Sequence, residues 1–245
     1  MDIHSLTQEL QFENKSISDL LKQISNLFPK HTSFSTSFGL EDQVITHIIA
    51  SEQLPISLFT LDTGRQFQET YSTWAKTLIQ YGIEIKSFTP DFDKVSELLS
   101  KKGPSSFYES VANRKECCGI RKIEPLRKAL KGKKIWITGI RADQSSNRSE
   151  MKPIEYDSTH DLIKIHPLFN WSFEEVRQYA KEHGIPYNPL HDKGFVSIGC
   201  APCTRAIANG EDFRAGRWWW EDQSSKECGL HSVAHENIKD TVLLK

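Results

Sequence analysis

Five cysteines carry the first recognisable chemistry of this 245-residue chain. Four of them form two pairs, Cys117-Cys118 and Cys200-Ala-Pro-Cys203, with residues 119–199, 81 in all, between them. A C-x-x-C in a turn presents two thiolates to one metal centre, and a second pair completes four sulfur ligands. Neighbouring side chains diverge by about 100° on a helix and about 180° on a strand, so vicinal thiolates suit one tetrahedral zinc poorly. An iron–sulfur cube spreads its irons over several corners, and adjacent cysteines can each take a different one. The spacing therefore favours a [4Fe–4S] cluster on Cys117, Cys118, Cys200 and Cys203 over structural zinc. A thioredoxin-type redox pair is weaker still, because Pro202 sits in a loop with no βαβ context. Buried, chemically silent thiols remain the plain alternative.

The charge around the first pair agrees. Arg114 to Lys134 holds nine Lys/Arg and two Glu, a net +7, which leaves −8 on the rest of a chain whose total is −1. A four-thiolate cluster is anionic, and so is a sulfate or phosphate ester bound beside it. A solvated basic helix face and a nucleic-acid patch are the rival readings, and the absence of interleaved aromatics counts against the second. Cys228 stands apart, in Lys226-Glu-Cys-Gly-Leu-His231. Lys226 and a protonated His231 favour a thiolate there, and the flanking glycine favours an accessible one. Cys228 thus reads as a reactive thiol with His231 beside it, and an incidental tail thiol is the plain alternative.

These groups need a scaffold. Short β-rich runs at Thr32–Ser37, Ile56–Leu61, Glu84–Phe88, Lys134–Thr138 and Leu162–His166 alternate with helical spacing over Leu40–Ala50 and Phe67–Tyr81. That alternation predicts an α/β fold: an open, mostly parallel sheet with helices on both faces. Ser172 and Glu175 form a capping box, Trp171 and Val176 a hydrophobic staple, and Gly184 a stop. From about residue 188 the rhythm ends. The expected division is 1–189 as a nucleotide-binding α/β domain and 190–245 as a cluster-binding loop and catalytic tail of the same domain. Ligands of such sheets bind at the C-terminal ends of the strands. Three of those ends are polar: Ser35-Thr-Ser37-Phe-Gly39-Leu-Glu-Asp42, Leu61-Asp62-Thr63-Gly64-Arg65 and Gly139-Ile-Arg141-Ala-Asp-Gln-Ser145, with Arg148 beyond. The first lacks the Gly-Lys-Ser of an ATPase loop, yet its hydroxyls, glycine and helix N-terminus suit an anion.

Composition narrows the class further. With 38% hydrophobic and 26% charged residues and a net charge of −1, no global field draws the chain to nucleic acid or membrane. The N-terminus lacks a basic and apolar leader, and no apolar run approaches the roughly 18–20 residues that span a bilayer. An odd cysteine count in a chain too large to need disulfide staples points to a reducing, cytoplasmic setting.

Together, Cys117-Cys118-Gly-Ile-Arg-Lys122, Cys200-x-x-Cys203, Arg217-Trp-Trp-Trp220 and Lys226-Glu-Cys-Gly-Leu-His231 closely resemble the assimilatory adenylyl-sulfate (APS) reductases of the APS/PAPS reductase family. The resemblance runs from about Ser33 to His231. It implies a fold related to adenine-nucleotide α-hydrolases, a [4Fe–4S] cluster, reduced thioredoxin as partner, and APS as substrate with sulfite and AMP as products in cysteine biosynthesis. In that family the cysteine matching Cys228 attacks the sulfate sulfur, and thioredoxin resolves the S-sulfocysteine formed. The resemblance places Lys122 between cluster and sulfate, and Arg148, Arg214 and Arg217 on the phosphosulfate. Leu61, Ser37 and Gly139 match adenine-side contacts, and Trp218–Trp220 are expected to dock the tail over the pocket. A homo-oligomer is expected. Rival readings are reduction of PAPS or of both nucleotides, an ATP-dependent tRNA-thiolating enzyme, and a zinc-stabilised nucleic-acid-binding module. The second of these lacks its SGGxDS loop here, and the third leaves Cys228 unexplained.

Overall fold

A computed structural model describes residues 3–10, 12, 15–144, 148 and 151–221. In chain order the elements are α1 (Ile3–Leu10), α2 (Ile17–Leu27), β1 (Thr32–Ser35), α3 (Leu40–Ser51), β2 (Ser57–Leu61), α4 (Gln68–Tyr81), β3 (Ile85–Phe88) and α5 (Phe92–Lys102). There follow α6 (Val111–Cys118), a π-helical turn (Gly119–Ile123), α7 (Glu124–Leu130), β4 (Ile135–Ile137), β5 (Ile154–Asp157), β6 (Leu162–Ile165) and α8 (Phe173–Glu182). The six strands form one sheet in the order β3-β2-β1-β4-β6-β5. Every pairing is parallel except that of β5 with β6. Among the described residues no helix is long and apolar enough to cross a membrane.

The strands alternate strictly in what they bury, as a pleat requires. Phe34, Leu58, Ile135, Ile137, Ile163 and Ile165 enter the larger core with Val44, Ile45, Ile48 and Ile49 of α3. Phe59, Trp136 and Leu162 point to the other face, where Leu126 and Leu130 of α7 cover them. Helices therefore lie on both faces, as the alternation predicts. On the α7 side the neighbours of these apolar residues are polar. Lys164 places its ammonium 4.9 Å from the centre of the Trp136 ring, and the indole N–H donates to Ser35 Oγ at 2.8 Å.

Strands β1, β4 and β6 stop one or two residues before their expected ends, whereas β2 and β3 end at Leu61 and Phe88 as expected, and the released ends help build a site. The capping box forms as expected, with Ser172 Oγ accepting from the Glu175 N–H and the Glu175 carboxylate accepting from the Ser172 N–H. Gly184 ends that helix at φ +58. Strand β5 is absent from the expectation, since Ile154-Glu-Tyr-Asp157 is a short polar run that gains strand form by pairing with β6.

The described part of the C-terminal segment, Pro189 onward to Glu221, has only short 3-10 turns and an isolated bridge between Thr204 and Arg217. One buried ion pair ties it to α6: Arg114 donates to Glu221 through Nε at 2.9 Å and through the guanidinium end at 2.7 Å. Breaking a buried pair by removing one partner costs about 3–5 kcal/mol, because the other charge is left buried and uncompensated. Glu221→Ala is expected to lower the urea-unfolding free energy by about that amount, whereas Glu97→Ala, in an exposed helix pair with Lys101, is expected to change it by less than about 1 kcal/mol.

Candidate active site

The strand order reverses between β1 and β4, and a crevice opens at the C-terminal ends of strands that diverge in this way. Here it is an open cleft of roughly 1270 Å³, solvent-filled space included. Ser35, Ser37 and Gly39 line it from the β1–α3 turn, Leu61 from the end of β2, and Gly139 from beyond β4. Four cations complete the wall: Lys122, Arg148, Arg214 and Arg217. Nine residues expected at a substrate site thus share one cleft.

The β1–α3 turn is tightly built. Phe38 takes a left-handed conformation at φ +60, with its ring stacked 5.4 Å from Trp74. Asp42 accepts from the Ser37 N–H at 2.6 Å and from Ser37 Oγ at 2.7 Å. Burial pushes the Asp42 carboxyl up to about 6 in spite of those bonds. The N–H and hydroxyl of Ser37, expected to help hold an anion, therefore already serve a carboxyl group of the chain itself. Gly139 is fixed by the same packing, for a Cβ there would lie 2.3 Å from Asp42 Oδ1.

Four expected substrate residues do not line the cleft. Arg141 is fully buried in its frame: it donates to Glu41 at 2.9 Å, pairs with Asp143, and lies 5.5 Å from the ring centres of both Phe173 and Phe213. Asp62, Thr63 and Gly64 turn toward the cysteines instead. Asp62 accepts from the Tyr71 hydroxyl at 2.8 Å and from the Gly64 N–H at 2.9 Å. Thr63 Oγ1 lies 3.3 Å from Cys200 Sγ, and the Thr63 carbonyl accepts from Arg121 at 2.6 Å. Gly64, at φ +68, passes close to that same guanidinium. A polar strand end looks alike in sequence whichever neighbour it meets.

Both cysteine pairs come to this place. Cys117 and Cys118 close α6, and the π turn that follows widens the helix ahead of Pro125, with the Glu124 N–H reaching back to the Gly119 carbonyl. Such a turn accommodates a proline ring that a regular α turn would clash with. Cys200 and Cys203 lie on a short turn whose Ala201 N–H donates to the Arg65 carbonyl at 2.8 Å, and the Tyr108 hydroxyl donates to the Pro202 carbonyl at 2.6 Å. None of the four is joined in a disulfide. Burial pushes the Cys203 thiol up to about 12, reinforced by Cys200 and opposed by Lys122 and Arg217. Burial likewise raises Cys117, opposed by Arg121 and Arg65. Thiols this crowded would hold their protons unless a cationic centre took their place, and the surrounding cations suit a thiolate set. The donor set fits an iron–sulfur cluster, although among the described residues no three Cys, His, Asp or Glu surround a single ion position.

Cys228 and His231, with Lys226, lie outside the described residues. Of the three tryptophans, Trp218 is buried beneath the guanidinium groups of Arg114, Arg214 and Arg217, at 4.6, 5.8 and 5.0 Å. Trp220 packs on Tyr108, and Trp219 is about half exposed. The cleft also holds Gln144, from the polar run after β4, and residues that sequence reasoning missed: Thr138, His191 and the Val196–Gly199 loop. Of the missed residues only the loop gave a local signal, since it leads directly into Cys200.

Residues 31–206 match the family described as the phosphoadenosine phosphosulfate reductase domain. The adenosine 5'-phosphosulfate reductase of Allochromatium vinosum is 51% identical over 81% of this chain and 77% of its own. That of Burkholderia cepacia is 45% identical over 93% of this chain and 90% of its own. Among solved structures, phosphoadenylyl-sulfate (PAPS) reductase from Candida auris in a phosphate complex superposes with a TM-score of 0.71 at 30% identity, covering 84% of this chain and 96% of that one. The FMN adenylyltransferase of Candida glabrata, at 18% identity and a TM-score of 0.55, shares the fold, covering 92% of this chain and 78% of its own. With the cleft, the cations and the two cysteine pairs in one place, the chain belongs to the APS/PAPS reductase family, alongside the adenosine 5'-phosphosulfate reductases.

Proposed function

We propose that this protein reduces adenylyl sulfate to sulfite and AMP. The carrying observation is that Lys122 and Arg217 line the cleft and also favour the Cys203 thiolate, so the same cations would serve substrate and cysteine site. Cys117, Cys118, Cys200 and Cys203 would hold a [4Fe–4S] cluster. Bound there, it supplies an electrostatic field beside the substrate and a rigid tie between the two cysteine segments.

The chemistry assigned to the chain's own residues has two displacements. The Cys228 thiolate, on the catalytic tail that 190–245 contributes, attacks the sulfate sulfur; an S–S bond forms, the S–O bond to the phosphate breaks, and AMP leaves with the electron pair. Lys122, Arg148, Arg214 and Arg217 neutralise the charge that grows on the leaving phosphate. A thiolate of reduced thioredoxin then attacks Cys228 Sγ, sulfite leaves, and the mixed disulfide closes to oxidised thioredoxin as Cys228 is restored. Reduction of PAPS is the second reading, favoured by the likeness to the Candida auris enzyme.

Loss of one partly buried charge-assisted contact costs on the order of 1.5–3 kcal/mol, or roughly 10- to 150-fold. Lys122→Ala is expected to lower kcat/KM for APS by that factor; unchanged affinity and turnover would remove Lys122 from the site.

Cys200→Ser is expected to lose iron, sulfide and the brown chromophore together when purified anaerobically. Stoichiometric zinc with no iron in the parent protein would replace the cluster by a zinc site.

Given APS without thioredoxin, the wild-type protein is expected to release one AMP per site and gain about 80 Da, one SO₃ retained on a thiolate. The mass should sit on the peptide containing Cys228 and vanish when reduced thioredoxin is added. Cys228→Ser should keep iron and AMP binding yet form no sulfite. An adduct elsewhere, or normal turnover of the variant, would defeat the covalent route. Parallel assays with APS and PAPS decide between the two nucleotides.

A further inference from the structure

On the α7 side of the sheet, three residues form a hydrogen-bonded chain that ends at the cleft. Thr138 follows β4 and lines the cleft, His166 follows β6, and Glu155 lies in β5. His166 is fully buried, with Nδ1 2.7 Å from Thr138 Oγ1 and Nε2 3.4 Å from Glu155 Oε1. The other groups facing the imidazole are Lys164, whose ammonium is 3.5 Å from Glu155, and Arg148. Phe169 stacks on the ring at 6.3 Å.

The protons of this chain follow from what each atom can do. Burial pushes His166 down to about 4, so the ring is neutral at pH 7 and carries one N–H. Burial alone would raise Glu155, but the hydrogen bond from His166 and the charge and hydrogen bond of Lys164 outweigh that and hold it low, as a carboxylate. An ionised carboxylate only accepts, so the N–H must be at Nε2. Nδ1 then carries a lone pair, and the Thr138 hydroxyl must donate to it. With its single hydrogen committed beneath the sheet, Thr138 Oγ1 has only lone pairs to offer to a ligand.

We propose that Thr138 is a further ligand-binding residue, an obligate acceptor for a hydrogen-bond donor of the adenylyl group, with His166 and Glu155 as the positioning residues that set its polarity. The donor is an N–H or O–H, from the exocyclic amine of the base or from a ribose hydroxyl. The assignment rests on the reading that the cleft takes an adenine nucleotide.

Two measurements test it. Calorimetric affinities for AMP, purine riboside 5′-monophosphate, 2′-deoxy-AMP and 3′-deoxy-AMP are compared across wild type, Thr138→Val and Thr138→Ser. Removing the donor that meets Thr138 should weaken binding to wild type and to the serine variant about 3- to 10-fold, and to Thr138→Val by less than about 2-fold. The analogue that shows this pattern identifies amine or hydroxyl. If all three analogues keep their wild-type ratios to AMP in Thr138→Val, whatever its absolute affinity, the assignment is overturned. If wild type does not bind AMP, the nucleotide reading of the cleft fails first and takes this one with it. Independently, the ¹⁵N shifts of His166 at pH 7 should report the Nε2–H tautomer; an Nδ1–H ring or an imidazolium would reverse the direction of the chain and overturn the proposal.

Discussion

Three guanidinium groups share one indole, and the arrangement of the site depends on it. Arg114, Arg214 and Arg217 each lie within 6 Å of the Trp218 ring, which is almost completely buried. Cations gathered this closely repel one another, and their burial weakens screening by solvent. The face of an indole carries negative potential and offsets part of that cost without adding a carboxylate that would neutralise the site. Trp218 also accepts backbone strain at φ +40, and its backbone N–H donates to the Cys203 carbonyl at 3.1 Å. One residue thereby joins α6 and the cation wall through its ring and the second cysteine pair through its backbone. Glu221 pairs with Arg114, while Arg217 lines the cleft.

The same economy explains why the cleft is polarised. Its carboxylates, Glu41 and Asp42, are consumed by the chain's own donors, Arg141 and Ser37. Lys122 and Arg217 both favour the Cys203 thiolate. An anion entering the cleft meets Lys122, Arg148, Arg214 and Arg217 on its wall. The π turn contributes by carrying Arg121 and Lys122 just after the cysteine pair, so that a single widened helical turn presents two thiols and two cations to one region.

What was legible in the sequence was what short-range chemistry controls. Ser172 and Glu175 cap α8 because the partners of a capping box are three residues apart. The cysteine pairs could be read because ligand spacing is local, and the parallel sheet because period-2 and period-3.6 patterns alternate. Arg141 and the Asp62–Gly64 turn could not be assigned, since their partners, Glu41, Cys200 and Arg121, lie 58 to 137 positions away in the chain. Strand β5 owes its form to the hairpin with β6 rather than to its own residues. The Thr138–His166–Glu155 chain joins three strands and has no one-dimensional signature at all.

That chain also shows how a parallel sheet can set chemistry at its edge from beneath. A hydroxyl at a strand end is ordinarily free to rotate, and it offers either a hydrogen or a lone pair to whatever arrives. Here the antiparallel β5, which contributes nothing to the cleft wall, supplies the carboxylate that orients His166, and His166 removes the rotational freedom of Thr138. Ordering one hydroxyl in advance spares the ligand the entropy of ordering it on binding, and it also excludes acceptors from that position. The edge strand thus acts at the site through the direction of two hydrogen bonds, without touching the cleft.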